Sequence, residues 1–359
     1  MHRSQLKENP FNKIIFVIAA CFFVLAVFST NVLSSQTPKF ISIASYPVGA
    51  HGAFLATTFS EAITKQSGIT TRPLPAPSDV GRFMAIIKGD AELGVFSAAS
   101  VYVAAHGLME FEKSNAGPQK VRLVFGGDSL AHGLIVKADS GIKKWEDLKG
   151  KRVAMAPGLF SMTVPAFLAY GGLDLDDVVL LRASGYVSAI KMVMSGAADA
   201  CHGTPETPLC REMESSPYGL RYMPFDPNNK EAIDKMLKVA PFLRNILLIT
   251  NGALGEGKKD GVWLPAYPYT VATMDSANED VIYTVVKALT EGYNLFKDAN
   301  PRSTPLFTLE RTIALEMPID VPFHNGLIKY VKEKGLWTDS HSKWQQEALN
   351  QEKKRLEKK

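Results

Sequence analysis

The chain has 359 residues, 46% hydrophobic and 21% charged, with a formal net charge of +4. That length is enough for two domains with a core each. The positive charges form no basic stripe interleaved with aromatics, which excludes nucleic acid as a partner.

Arg3, Lys7 and Lys13 precede an apolar run, IIFVIAACFFVLAVF, over residues 14–28, and the polar stretch STNVLSSQTP follows. These are the three regions of a secretory signal. A spanning helix needs about 20 apolar residues, so residues 1–35 are expected to be a signal peptide cleaved near Ser35. An N-terminal membrane anchor is the alternative. Cys21 ends a sequence, IAAC, that superficially matches a lipoprotein box. The apolar run continues past it from Phe22 to Phe28, which argues against cleavage there. The chain is therefore expected to be exported and periplasmic.

From residue 38 onward, short apolar runs alternate with amphipathic segments. FISIAS (40–45) reads as a strand, PVGAHG as a turn, and AFLATTFSEAITKQSG as a helix ending at Gly68. ITTRPLPA is a strand, GRFMAIIKG a helix, AELGVFSA (91–98) a strand and SVYVAAHG a helix. VRLVFGG and GLIVKAD are strands around 121–139. This order predicts an α/β unit with a largely parallel sheet.

A second series opens at SGIKKWEDLKGKRVAMA. Residues 151–156 read as a strand, 162–171 as a helix, DVVLLRA as a strand and SAIKMVMSG as a helix. ADACHG is the next strand, LCREMES a helix and LRYMPFD a strand. LRNILLIT and PYTVATMD then read as strands that carry the chain back to the first unit. NEDVIYTVVKALTEGYNLFKDANP reads as one long amphipathic helix, and the tail from His341 as a charged, solvated helix. The expected organisation is one lobe from 38–133 plus 250–338, a second from 134–249, and a charged helical tail over 339–359. No Ser/Gly-rich linker separates the halves, so crossing strands should form the hinge. Ligands in such sheets sit at the carboxyl ends of strands, against helix N-termini, which places a cleft between the lobes.

Two cysteines of the exported part, Cys201 and Cys210, lie nine apart in CHGTPETPLC, with two prolines between them. In an oxidising compartment they are either a disulfide pair or two free thiols. His202 beside them completes no CxxC or HxxxH pattern, so no metal is expected.

APGLFSMTVPAF (156–167) raises the question of chemistry. A nucleophile elbow requires G-x-S-x-G, and the second glycine is missing. A phosphate loop requires Gly-Lys before the hydroxyl residue, and no lysine is there. What remains is a helix entry, with Gly158 for a tight turn, Ser161 or Thr163 for capping, and N–H groups that suit an anion. With no clear metal set and no suggestively spaced pair of carboxylates, neither catalysis nor a cofactor is expected.

Four stretches carry a family resemblance. KADSGIKKWEDLKGKRVAMAPG resembles the opening of the second lobe of many periplasmic solute receptors. KGDAELGVFSAAS, AIKMVMSGAADACHGTPETPLCREM and VPFHNGLIKYVKEKGLW are similar to segments of the TAXI solute receptors of tripartite ATP-independent periplasmic (TRAP) transporters. The last is the most specific, and the resemblance covers about residues 40–338. It implies a two-lobe, type II-like periplasmic-binding-protein fold that closes on a small organic acid. It also implies docking on a membrane permease driven by an ion gradient. A sensor feeding a histidine kinase, or a receptor of an ABC transporter, would use the same cleft.

The resemblance also suggests ligand residues. Gly158 and Thr163 match the ligand loop of TAXI receptors, while Phe160, Ser161 and Met162 replace its small residues and imply a bulkier, more apolar wall. Arg82 stands where that family has an Asn, and its forked guanidinium suits a carboxylate. Asp79 is the internal alternative. Tyr46, His51 and Gly52 occupy a Gly-rich turn, with His51 either a donor to ligand or a solvated loop histidine. Ser97 ends a strand at the cleft, and Tyr186 and Thr204 lie at the matching edge of the second lobe. Glu206 would repel an anion. Arg82 and Phe160 favour an acid with an apolar or aromatic body, and the resemblance adds glutamate and related dicarboxylates.

Overall fold

A computed structural model describes residues 38–357, leaving aside 49, 77, 115, 244 and 316–319. The expected signal or anchor at 1–35 lies outside the described residues. Among these, no helix is long and apolar enough to cross a membrane.

The first series runs β1 (Phe40–Ser45), α1 (His51–Ser67), β2 (Thr70–Pro75), α2 (Asp79–Ile87), β3 (Leu93–Ser97), α3 (Ala98–His106) and β4 (Val121–Ala131). Its punctuation is chemical. Gly68, left-handed at φ 75°, closes α1 and returns its N–H to the Thr64 carbonyl, a conformation that costs glycine no steric clash. Ser78 caps α2 by accepting the Gly81 N–H, and Ser97 caps α3 by accepting that of Ser100.

The second series runs β5 (Gly133–Lys137), β6 (Arg152–Met155), α4 (Phe160–Tyr170), β7 (Val179–Arg182), α5 (Tyr186–Ser195), β8 (Ala200–Gly203), α6 (Pro208–Ser215), β9 (Leu220–Tyr222) and α7 (Lys230–Val239). The chain then re-enters the first sheet as β10 (Asn245–Ile249) and β11 (Val262–Met274). It ends in α8 (Glu279–Glu291), α9 (Asn325–Glu333) and α10 (Asp339–Glu357).

Two sheets result. One has the order β10-β11-β3-β1-β2 with β4 also on β11, and the other has β7-β6-β8-β5-β9. The plans repeat: β2-β1-β3 and β7-β6-β8 are each parallel, and an antiparallel strand, β11 or β5, lies against the third. The two-lobe α/β fold is thus observed, but its sheets are mixed rather than largely parallel. β11 follows β10 as its antiparallel partner and also lies antiparallel to β3, while β5 runs antiparallel to both β8 and β9. A single residue, His132, separates β4 of one sheet from β5 of the other.

Two elements differ from expectation at the C-terminal end. The long helix stops at Glu291, with Gly292 as its cap and only a short 3-10 turn beyond. The tail helix α10 is docked, not solvated. Glu352 is buried against Arg122, and the Gln345 amide donates to the Phe323 carbonyl while its oxygen accepts the Phe323 N–H. A buried cation on β4 demands an anion, and the tail supplies it.

Candidate functional site

On the first lobe, the site grows from the turn between β1 and α1. Tyr46 leaves β1 and lies over Gly52, where a Cβ would come within 2.1 Å of the ring. Gly52 therefore leaves room for the Tyr46 ring. The Tyr46 hydroxyl accepts the Ser97 N–H and lies 3.2 Å from Ser100 Oγ, while Ser97 and Ser100 share a 2.9 Å contact. Tyr269 of β11 stands 5.8 Å from Tyr46 and meets His51 edge-on at 5.3 Å. His51 is thus a member of a ring cluster rather than a solvated loop residue.

Arg82 lies 3.7 Å above the Tyr46 ring. Its Nη2 donates to Asp79 Oδ1 and its Nη1 to the Ala76 carbonyl at 3.3 Å, while the buried Nε–H has no partner. Burial works against the charge, but Tyr46 and Asp79 outweigh it and hold the guanidinium pKa above its ordinary value. Of the two partners the sequence leaves open for Arg82, Asp79 is the one it holds. The cation is buried and half spent.

On the second lobe, Phe160 opens α4 and stacks on Tyr186 of α5, with centroids 5.2 Å apart and planes within 4°. The Tyr186 hydroxyl lies 2.7 Å from Thr207 Oγ1, which in turn lies 2.8 Å from Thr204 Oγ1. Burial pushes the Tyr186 phenol well above its usual range. Phe160 also meets His202 of β8 at 4.8 Å.

The turn before α4 corrects one expectation. Gly158 is left-handed at φ 75°. The N–H groups of Ser161, Met162 and Thr163 are bonded to the carbonyls of Gly158 and Leu159, at 2.9, 2.9 and 3.0 Å. Ser161 Oγ donates back to Gly158 at 2.6 Å, and Thr163 is fully buried. These three amides are consumed by the turn and do not form an anion cradle. The residues after Gly158 cannot spare them because Leu159 is a poor cap and supplies no side-chain acceptor.

The floor between the walls is where sequence reasoning found least. His132 donates its backbone N–H to Pro265 at 2.8 Å, stacks on Tyr267 at 3.9 Å, and places Nδ1 3.0 Å from His202 Nε2. Burial lowers the His202 pKa to about 3, and burial, then His202 and His51, hold His132 well below the usual imidazole range. The Tyr267 phenol is raised by burial and then by Tyr46 and Asp79 of one lobe and Tyr186 of the other. Its ring contacts are His132 and Phe242. His132 and Tyr267 carry no motif. The only available signal was a lone histidine between two apolar strands.

Other expected residues fall nearby. Cys201 and Cys210 are buried and free, so the disulfide option is corrected. The Cys201 thiol points to the His202 carbonyl, and burial pushes the Cys210 thiol up to about 12. Glu206 forms a 2.5 Å ion pair with Arg302, which also donates to the Asn251 carbonyl at 2.9 Å. Its charge is neutralised and no longer argues against an anion. Among the described residues no cluster of His, Cys, Asp and Glu could hold a metal.

A profile of the NMT1-like family matches residues 44–335. No curated protein matches the chain. Among solved structures, a protein from Bordetella bronchiseptica RB50 is similar at 15% identity and a TM-score of 0.50, over 83% of this chain and 99% of that one. PhnD1 from Prochlorococcus marinus (MIT 9301), in complex with methylphosphonate, is similar at 12% identity and a TM-score of 0.46, over 84% and 100%. A TctC solute-binding protein from Polaromonas shares 12% identity at a TM-score of 0.46, over 75% and 88%.

Proposed function

The chain belongs to the NMT1-like family, and we propose that it is an extracytoplasmic receptor that captures a small organic acid between its lobes and delivers it to an ion-gradient-driven permease of the TRAP type. The observation that carries this reading is the convergence of rings and hydroxyls from two lobes on a floor that is itself the hinge. Tyr46, His51 and Arg82 come from one side, Phe160, Tyr186 and Thr204 from the other, and His132 with Tyr267 from below.

A solute that touches both walls binds the closed form better than the open one and shifts the equilibrium toward it. The permease then needs to recognise only the closed surface. The aromatic walls favour an acid with an apolar or aromatic body. The resemblance of VPFHNGLIKYVKEKGLW to TAXI receptors supports the permease type, and the export segment at 1–35 supports the compartment.

A thermal-shift screen of the full chain against organic acids, phenylacetate and glutamate among them, tests the reading. Acid at about a hundredfold over its Kd adds roughly 2.7 kcal/mol of stability, a clear rise in melting temperature. No rise with any acid, beside a rise with uncharged solutes, would overturn the acid assignment.

A further inference from the structure

Both strong charges near the crevice are already answered: Arg82 by Asp79, and Glu206 by Arg302. An acid entering there needs a positive charge that the resting site does not hold free. The hinge supplies a candidate. His132 Nδ1 and His202 Nε2 share one 3.0 Å hydrogen bond, and the outer nitrogens, His132 Nε2 and His202 Nδ1, are buried without a partner. Buried polar atoms are rarely left so, and each such case calls for an explanation.

The proton count of the pair is informative. Two neutral imidazoles carry two N–H groups, and one is consumed between them. Whichever ring donates, one outer nitrogen is then a donor and the other an acceptor. Moving the shared proton, with its tautomeric counterpart, swaps the two. One added proton makes three N–H groups, one shared and two pointing outward, with a single positive charge spread over both rings.

We propose that the His132–His202 pair is the ligand-carboxylate subsite, and that it binds the acid together with one proton. This rests on the receptor reading above. The balance is one carboxylate anion plus one proton from solvent, giving a shared imidazolium whose outward N–H donates to a carboxylate oxygen. No bond other than N–H is made or broken, and release returns the proton. The titratable groups around the rings are His51 from α1, Tyr267 from β11 and Tyr186 from α5. None of these is an acid that would be charged at neutral pH, so the resting pair stays neutral and the incoming carboxylate is what stabilises the proton. Because His132 is also the residue that joins the two sheets, the ligand's charge is countered at the hinge itself.

The test is calorimetric titration of the full chain at about pH 6 with phenylacetate and with glutamate, in phosphate and in Bis-Tris. The expected result is an apparent enthalpy that differs between the buffers because protons are taken up as the acid binds, with Kd weakening as pH rises from about 5.5 to about 7.5. His202→Gln should abolish both the buffer dependence and the pH dependence. If that variant does not fold, the two-buffer comparison on the unaltered chain decides alone. Binding with no proton uptake and a pH-independent Kd overturns the subsite while leaving the receptor intact. Failure of both acids to bind overturns the acid-receptor reading, and the subsite with it.

Discussion

Glu352 closes a two-pronged ion pair on Arg122, with Oε2 2.5 Å from Nη1 and Oε1 3.0 Å from Nη2. Both side chains are buried. Removing one partner of a buried pair typically costs about 3–5 kcal/mol, because the other is left charged and desolvated. Asp275 also reaches Arg122, at 2.6 Å, so Glu352→Gln is expected at the lower end, about 3 kcal/mol, read as a shift in the urea midpoint. A midpoint unchanged within error would mean that the tail is dispensable to the first lobe.

The Arg82–Asp79 pair should behave as a coupled unit. Arg82→Gln leaves a largely buried carboxylate unanswered and uncovers Tyr46, for an expected loss of about 3 kcal/mol. Adding Asp79→Asn should recover at least half of it. Additive losses in the double variant would show that the two groups do not depend on each other.

Acid should weaken the fold above the range in which carboxylates titrate. The His202 pKa is lowered to about 3, that of His324 to about 4, and that of His132 well below its usual value, each chiefly by burial. In the unfolded chain all three titrate near 6.5. As pH falls below that value, the unfolded state takes up protons that the native state refuses, so stability is full above about pH 6.5 and declines below it. The limiting slope is about 1.4 kcal/mol per pH unit for each histidine. Urea unfolding at pH 7.5, 6 and 5 measures it, and a flat profile would contradict the buried, neutral assignment.

Gly52→Ala drives a Cβ into the Tyr46 ring. Overpacking of this kind costs roughly 1–3 kcal/mol, and the displaced ring should also release Arg82. The expected signature is a lower melting temperature together with a smaller ligand-induced shift. A normal shift on a destabilised variant would separate Tyr46 from the ligand wall.

Cys201 and Cys210 should resist thiol reagents in the folded protein and react when it is unfolded, because they are buried and free. Thiol titration in denaturant without reductant would show their absence if a bridge formed instead.

Much of the architecture was written in periodicity. The β1-α1-β2 and β6-α4-β7 runs are bounded by Gly68, Ser78 and Gly158, whose turn and cap chemistry is local and therefore readable. The direction of β11 was not, since strand polarity depends on which lobe the chain arrives from. The docked tail was missed because a helix rich in Lys and Glu reads as solvated unless one knows that Arg122 waits beneath it. At the candidate site, Tyr46, Arg82, Phe160, Tyr186 and Thr204 were singled out from the sequence. Arg82 lies over Tyr46, while Phe160, Tyr186 and Thr204 are linked to one another through ring stacking and Thr207. His132 and Tyr267 lie far apart in sequence and become neighbours only through the sheet.

The first lobe is built from both ends of the chain, whereas the second, from β5 to β9, is continuous. During synthesis, domains tend to fold as units in the order they emerge. The second lobe has all its strands long before β11 exists to complete the first sheet. The charge on Arg122 must wait longer still, for Glu352 near the last turn of the final helix. A half-made molecule of this protein therefore carries one finished lobe and one that cannot close. The finished half contains the Phe160–Tyr186 stack, whereas the cluster of Tyr46 and His51 around Tyr269 can form only after β11 has been made.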